Sequence, residues 1–199
     1  VESRWRSWGF NVVIGEIEGP WSKARAVAVA LESSTADTLV VTDGDVWSEA
    51  APSEASRVDE EGGWAVPFST VRRLMAPDSQ AVIDGGPLGG KLVKSPFKAV
   101  PGGGMVILKR ELYEAAPLDP RFVGWGHEDE AWGMLLTSAG GRPRMSNEPL
   151  WHLWHPPQNK DRGPERVASL QLRGRYAKAR RDTKAMKALA AEARRELNW

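Results

Sequence analysis

Thr38-Leu39-Val40-Val41-Thr42-Asp43-Gly44-Asp45 joins an apolar, β-branched run to two acids separated by a glycine. A continuous run of this kind reads as a buried parallel strand. Sheets of such strands bind ligands just beyond the strands' carboxyl ends. Asp43 and Asp45 stand at that end. Two carboxylates around a glycine that permits close approach suit a divalent cation carrying a diphosphate. Hard cations such as magnesium or manganese take oxygen ligands and accept substrate phosphates as partners. An ordinary Asp-Gly turn after a strand would read the same way.

Downstream, Gly124-Trp125-Gly126-His127-Glu128-Asp129-Glu130 sets a tryptophan between glycines and follows it with three acids. Ala131, Trp132, Met134, Leu135 and Leu136 then read as an apolar helix face, so the acids lie at a loop-to-helix junction. A flat apolar ring beside hydrogen-bond acceptors suits a sugar, whose CH face stacks while its hydroxyls donate. Acids in a first helical turn also simply complement the helix dipole. Two of the chain's three histidines fall in Trp151-His152-Leu153-Trp154-His155-Pro156-Pro157. At a spacing of three they share a face only if the segment turns, since strand neighbours at odd spacing point to opposite faces. One of them is then a candidate to complete a metal site begun at Asp45. Packing among the tryptophans is the alternative.

In this order the three segments resemble the metal-dependent glycosyltransferases of the GT-A fold. The likeness is to the C-terminal galactosyltransferase region shared by β-1,4-galactosyltransferases and polypeptide N-acetylgalactosaminyltransferases. Asp43-Gly44-Asp45 matches the family's Asp-x-Asp motif. Gly103-Gly104-Met105-Val106-Ile107-Leu108 matches its Gly-Gly segment, and Trp125 to Glu130 its Trp-Gly-Gly-Glu-Asp-Asp element. His155 matches its late metal-binding histidine, and His152 stands at a second ligand's place. Trp21-Ser22-Lys23-Ala24-Arg25 resembles the basic segment opening the helix before the Asp-x-Asp strand. The likeness spans roughly residues 10 to 157.

The resemblance implies an α/β fold: a GT-A, Rossmann-like mixed sheet flanked by helices. It implies a Mn2+ or Mg2+ cofactor held by Asp45 and His155, with His152 beside them. Asp129 would be the general base and Glu128 would orient hydroxyls. Asp43, Lys23, Arg25, Gly103 and Gly104 would contact the nucleotide-diphosphate sugar donor, expected to be a UDP-sugar. Trp125, Gly126, His127 and Glu130 would hold a glycan, protein or small-molecule acceptor. An aspartate at 129 favours inversion, because retaining relatives usually carry Glu-Asn there. Two departures stand inside the motif. His127 replaces a usual glycine, which narrows the acceptor pocket, and Glu130 replaces a common aspartate. A third is at the front: Val1 to Phe10 reads as the tail of the family's first helix and Asn11 to Ile14 as its second strand, so the first strand is expected to be missing. Readings from other classes are a non-catalytic sugar- or nucleotide-binding remnant and a metal-dependent nucleotidyltransferase.

Composition bounds the rest. At 199 residues the chain makes one domain with a sizeable core. A net charge of +1 argues against a general nucleic-acid or membrane-surface role. There is no signal peptide and no long apolar run, so the expectation is a soluble, cytoplasmic protein without a membrane anchor. The lack of cysteine excludes disulfides and thiolate metal sites. The wealth of Ala, Arg and Gly suggests a bacterial or bacteriophage source.

Along the chain, Ser22 to Glu32 has helical spacing, yet Lys23 and Arg25 sit in its first turn, where the dipole disfavours cations. A bound diphosphate would explain that misfit. Ser48 to Glu61 reads as a mobile helix or loop able to close over a donor, and Ser69 to Met75 as a short helix. Ser79 to Pro101 is a glycine-rich stretch without the ending of a phosphate loop. Gly102-Gly103-Gly104 opens a strand over Met105 to Leu108, with glycine amides free to approach a donor sugar. Arg110 to Ala115 is a short helix. The catalytic domain is expected over 1–157 and a basic helical extension over 158–199, with Gln158 to Gly163 as a polar linker.

Overall fold

The computed structural model describes residues 1–156 and 164–199. The chain opens with α1 (Glu2–Ser7), α2 (Lys23–Glu32), β1 (Thr38–Thr42), β2 (Val46–Trp47) and α3 (Ala51–Glu61). Then come β3 (Trp64–Val66), β4 (Thr70–Arg73), α4 (Ala76–Ile83), β5 (Phe97–Lys98), β6 (Met105–Lys109) and α5 (Arg110–Ala115). It closes with α6 (Glu128–Gly140), β7 (Arg144–Met145), β8 (Pro149–His152), α7 (Pro164–Ala179) and α8 (Thr183–Glu196). The expected linker at Gln158 to Gly163 lies outside the described residues, as does Pro157.

The fold is mixed α/β, built on two four-stranded mixed sheets flanked by helices rather than one sheet. The first runs β1-β6-β3-β7 and the second β2-β8-β4-β5. The apolar run expected to be a parallel strand is instead an edge strand, antiparallel to β6, with Thr42 opposite Met105. Its burial alternates, only Leu39 and Val41 being fully covered, as one buried face requires. The strand buried on both faces is β6, where Met105, Val106, Ile107 and Leu108 are all sealed.

Other expectations are corrected. Asn11 to Ile14 forms no strand. Ser69 to Met75 is not a helix, because Thr70–Arg73 pairs parallel with β8 and antiparallel with β5. β-branched Thr70 and Val71 suit that pleated position, and Arg72 lies over the Trp151 ring of the neighbouring strand. Ser48 to Glu61 does not read as a lid: α3 packs on β1 and β6 with Ala51, Glu54 and Val58 buried. The glycine-rich stretch opens inside a helix, α4, which starts at Ala76 with Pro77 in its first turn.

Helix α2 and helix α5 form where the spacing predicts them. The two C-terminal helices dock on α6. Leu172, Tyr176, Met186 and Leu189 join the same apolar core as the sheets, and Asp182 caps α8 by accepting from Ala185 N–H. Among the described residues no helix is long and apolar enough to cross a membrane.

Candidate functional site

Strand register carries Asp45 to the histidines. β2 starts one residue after Asp45 and pairs antiparallel with β8, placing Val46 opposite His152. Leu153 N–H donates to the Asp45 carbonyl at 2.9 Å, which extends that pairing past the strand. His152 is the last residue of β8, and the chain leaves the sheet at once. His155 therefore comes round to the side of His152, where a continued strand would have sent it to the opposite face. The ring centroids lie 5.2 Å apart. Asp45 Oδ2 is 3.6 Å from His155 Nε2 and 3.8 Å from His152 Nδ1. One ligand atom from each of the three residues falls within 4.8 Å of the others.

Both rings are oriented by backbone. His152 Nδ1 lies 2.6 Å from the Leu153 carbonyl and His155 Nδ1 2.8 Å from the Pro156 carbonyl. A carbonyl only accepts, so each Nδ1 carries the proton and each Nε2 keeps its lone pair. For His155 that lone pair faces Asp45. Burial pushes the His152 imidazole below its ordinary pKa, against the pull of Asp45, which favours the neutral, ligating form.

The second half of the site joins three elements. Asp43 N–H, just past β1, donates to the Gly104 carbonyl. Lys23, first residue of α2, reaches Asp43 Oδ1 at 2.8 Å and Asp129 Oδ1 at 3.1 Å. Its side chain is only 10% exposed. Burial works to lower the pKa of this ammonium, but Asp129 and Asp43 outweigh it and hold the group above its ordinary value. The helix-dipole misfit at Lys23 is thus balanced by the protein's own carboxylates. Arg25 is exposed on another face of α2, and the fold does not bring it to them.

His127 caps α6 with φ 74°, a left-handed conformation that glycine adopts freely and histidine at a cost. Glu128, Asp129 and Glu130 fill the first turn. Glu130 is tied to α7 by Arg173, whose Nε and Nη2 lie 2.8 and 2.7 Å from Oε2. The sequence carried no signal for that pair, since its members lie in separate elements. Burial, and then the Asp129 charge, raise the Asp129 neighbour Glu128 to a pKa of about 6, and its Oε2 is sealed without a hydrogen-bond partner. Burial likewise raises Asp129, with Lys23 opposing.

Glu128 therefore destabilises the fold when ionised. A carboxyl raised from 4.5 to about 6 binds more protons folded than unfolded across that window, so stability falls as pH rises through it. Glu128→Gln is expected to remove this fall and to raise stability at pH 7 by about 1–2 kcal/mol, read by urea melts at pH 4.5 and 7. Equal stability of the two forms at pH 7 would show the carboxylate to be solvated.

The glycine loop serves helix packing. A Cβ at Gly102 would lie 2.3 Å from the Asp129 carbonyl oxygen, and one at Gly103 3.0 Å from Asp129 Oδ2. A Cβ at Gly104 would meet Leu150 at 2.6 Å. The glycines expected to approach a donor sugar thus bring the start of α6 up to the end of β1. Trp125 follows Gly124 (φ 78°) and precedes Gly126 (φ 108°), and is 51% exposed. Gly124 N–H donates to the Trp21 carbonyl. Trp21 and Trp125, with Glu165 and Arg166 of α7, line a cavity of about 230 Å³. Exposed Trp21 was legible only as part of the basic segment.

Trp64 belongs to the core, its Nε1–H donating to the Gly141 carbonyl. No protein-family model matches this chain, and no curated protein matches it.

Proposed function

We propose that this chain is a metal-dependent glycosyltransferase of the GT-A type, moving a sugar from a nucleotide-diphosphate donor, a UDP-sugar, to an acceptor hydroxyl with inversion. The observation that carries the reading is the convergence at the end of β1. Asp45, His152 and His155 cluster on one side of Gly44, and Asp43, Lys23 and Asp129 on the other. The Asp45 carboxylate and the His155 imidazole, whose free Nε2 faces it, fit a divalent transition ion with His152 beside them, and a nitrogen donor suits Mn2+ better than Mg2+, which prefers oxygen alone. When bound there, such an ion neutralises the charge that develops on a leaving diphosphate.

Asp129 then takes the proton from the acceptor hydroxyl. That oxygen forms a bond to the anomeric carbon as the bond from carbon to the diphosphate breaks. The nucleoside diphosphate departs with the electron pair. Glu128 accepts from sugar hydroxyls, and the exposed Trp125 indole offers a flat face to the acceptor ring. His127 narrows the approach beside it. Lys23 is held by Asp43 and Asp129 rather than left open to a donor phosphate, and Arg25 lies exposed on another face of α2.

Thermal stabilisation by uridine and guanosine diphosphate sugars, with and without Mn2+, tests the reading. A ligand at about 100 times its Kd adds about 2.7 kcal/mol. The expected result is a shift with one uridine diphosphate sugar that needs Mn2+ and vanishes in His155→Ala. A folded protein that no donor stabilises would remove the transferase reading.

A further inference from the structure

The carboxylates around α6 outnumber the cations that face them. Asp129 is approached by Lys23 from α2, by Asp43 from the end of β1, and by Glu128 and Glu130 on its own helix. Glu130 is neutralised by Arg173. Among the described residues, Lys23 is the one cation within ion-pair distance of Asp129. A half-buried carboxyl surrounded by like charges takes up a proton, and a protonated acid cannot serve as a base.

We propose that Lys23 is the positioning residue of this site: its ammonium, clamped between Asp43 and Asp129, holds the Asp129 carboxylate ionised and aimed to accept the acceptor's proton. The proposal rests on the transferase reading for what Asp129 does, and on geometry for what Lys23 does. Asp129 Oδ1 is the oxygen bonded to Lys23, while Oδ2 faces Gly103, where the absence of a side chain leaves the carboxylate its place. The ammonium of Lys23 donates to both carboxylates at once, so the orientation of Asp129 is referred to the end of β1 rather than to its own helix alone. This work is distinct from binding a donor phosphate, for which a solvated cation would serve.

Two readouts separate positioning from phosphate binding. In the free protein, carbon-13 NMR follows the Asp129 carboxyl through its titration. Lys23→Met is expected to raise its midpoint by about 1–3 pH units, the range an opposite charge at contact commands. If Lys23→Met does not fold, the comparison is made between Asp43→Asn and Lys23→Met/Asp43→Asn. That pair leaves one fewer unbalanced carboxylate and is expected to show the same upward direction. An unmoved midpoint overturns the proposal.

In transfer assays, the acidic limb of the kcat profile moves up with the midpoint while donor KM holds. A raised donor KM with an unmoved limb would make Lys23 a phosphate ligand and overturn the positioning role. The titration needs no donor or acceptor. A shifted midpoint in a protein that transfers no sugar would therefore retire the transferase reading alone.

Discussion

On the proposed transferase reading, Asp129→Asn is expected to lower the rate of sugar transfer by about 10²–10⁴-fold, the range a positioned general base supplies, and to leave donor binding intact. The amide has the shape of the carboxylate but no basic oxygen. Lys23 keeps Asp43 at 2.8 Å as its counter-charge, so the substitution strands no buried cation. It also removes one of the like charges that raise Glu128, so the melting temperature is expected to hold or rise. Steady-state kinetics with Mn2+ added, beside a thermal melt, give the two numbers needed. Turnover near that of the unmodified chain would take the base assignment away from Asp129, whatever the melt shows.

Asp119→Ala is the substitution with the largest expected cost to the fold. Asp119 is 4% exposed and accepts from four donors: Arg121 N–H at 3.0 Å, Arg121 Nε at 2.9 Å and Nη2 at 2.6 Å, and the Tyr176 hydroxyl at 2.9 Å. Arg121 also donates to Glu192 of α8, and its guanidinium is held above its ordinary pKa first by Asp119. Arg175 and Arg121 push Glu192 down to about 2. The alanine variant leaves a guanidinium without its principal partner and a buried phenol without an acceptor. Removing one member of a buried pair costs about 3–5 kcal/mol, or a fall of roughly 6–20 °C in Tm for a chain of this size. A shift within about 2 °C would mean that α7 and α8 are held by apolar packing alone. The segment from Asp119 runs directly into Gly124 and Trp125, so the same loss is expected to loosen the indole at the site.

Much of the candidate site was legible because its signals are local. Asp-Gly-Asp after an apolar run, three acids behind a Gly-Trp-Gly turn and two histidines before paired prolines each advertise themselves within a few residues. Helices α2, α5 and α6 were legible for the same reason, since their spacing and their Pro and Gly boundaries lie in sequence. The misread segments are those whose state depends on a distant partner. Thr70–Arg73 becomes a strand only because β8 arrives beside it. Asn11 to Ile14, with three β-branched residues against two in Thr70–Arg73, joins no strand and stays irregular. α3 is core rather than lid because β1 and β6 cover its Ala51 and Val58 face.

The sequence by itself determined the α/β class, the central apolar strand over Met105 to Leu108, and the residue types available for chemistry. These follow from composition and short-range periodicity, which act within one turn or one pleat. Tertiary structure alone decided which of those residues meet. Lys23 lies between Asp43 and Asp129, 106 positions from the latter, because α2 docks where β1 ends and the Gly102–Gly104 loop lets α6 close in. Asp45 reaches His152 because of one antiparallel register, and Glu130 finds Arg173 because α7 folds back on α6. Charge pairing depends on distances of a few ångströms in space, and separation along the chain does not encode those distances.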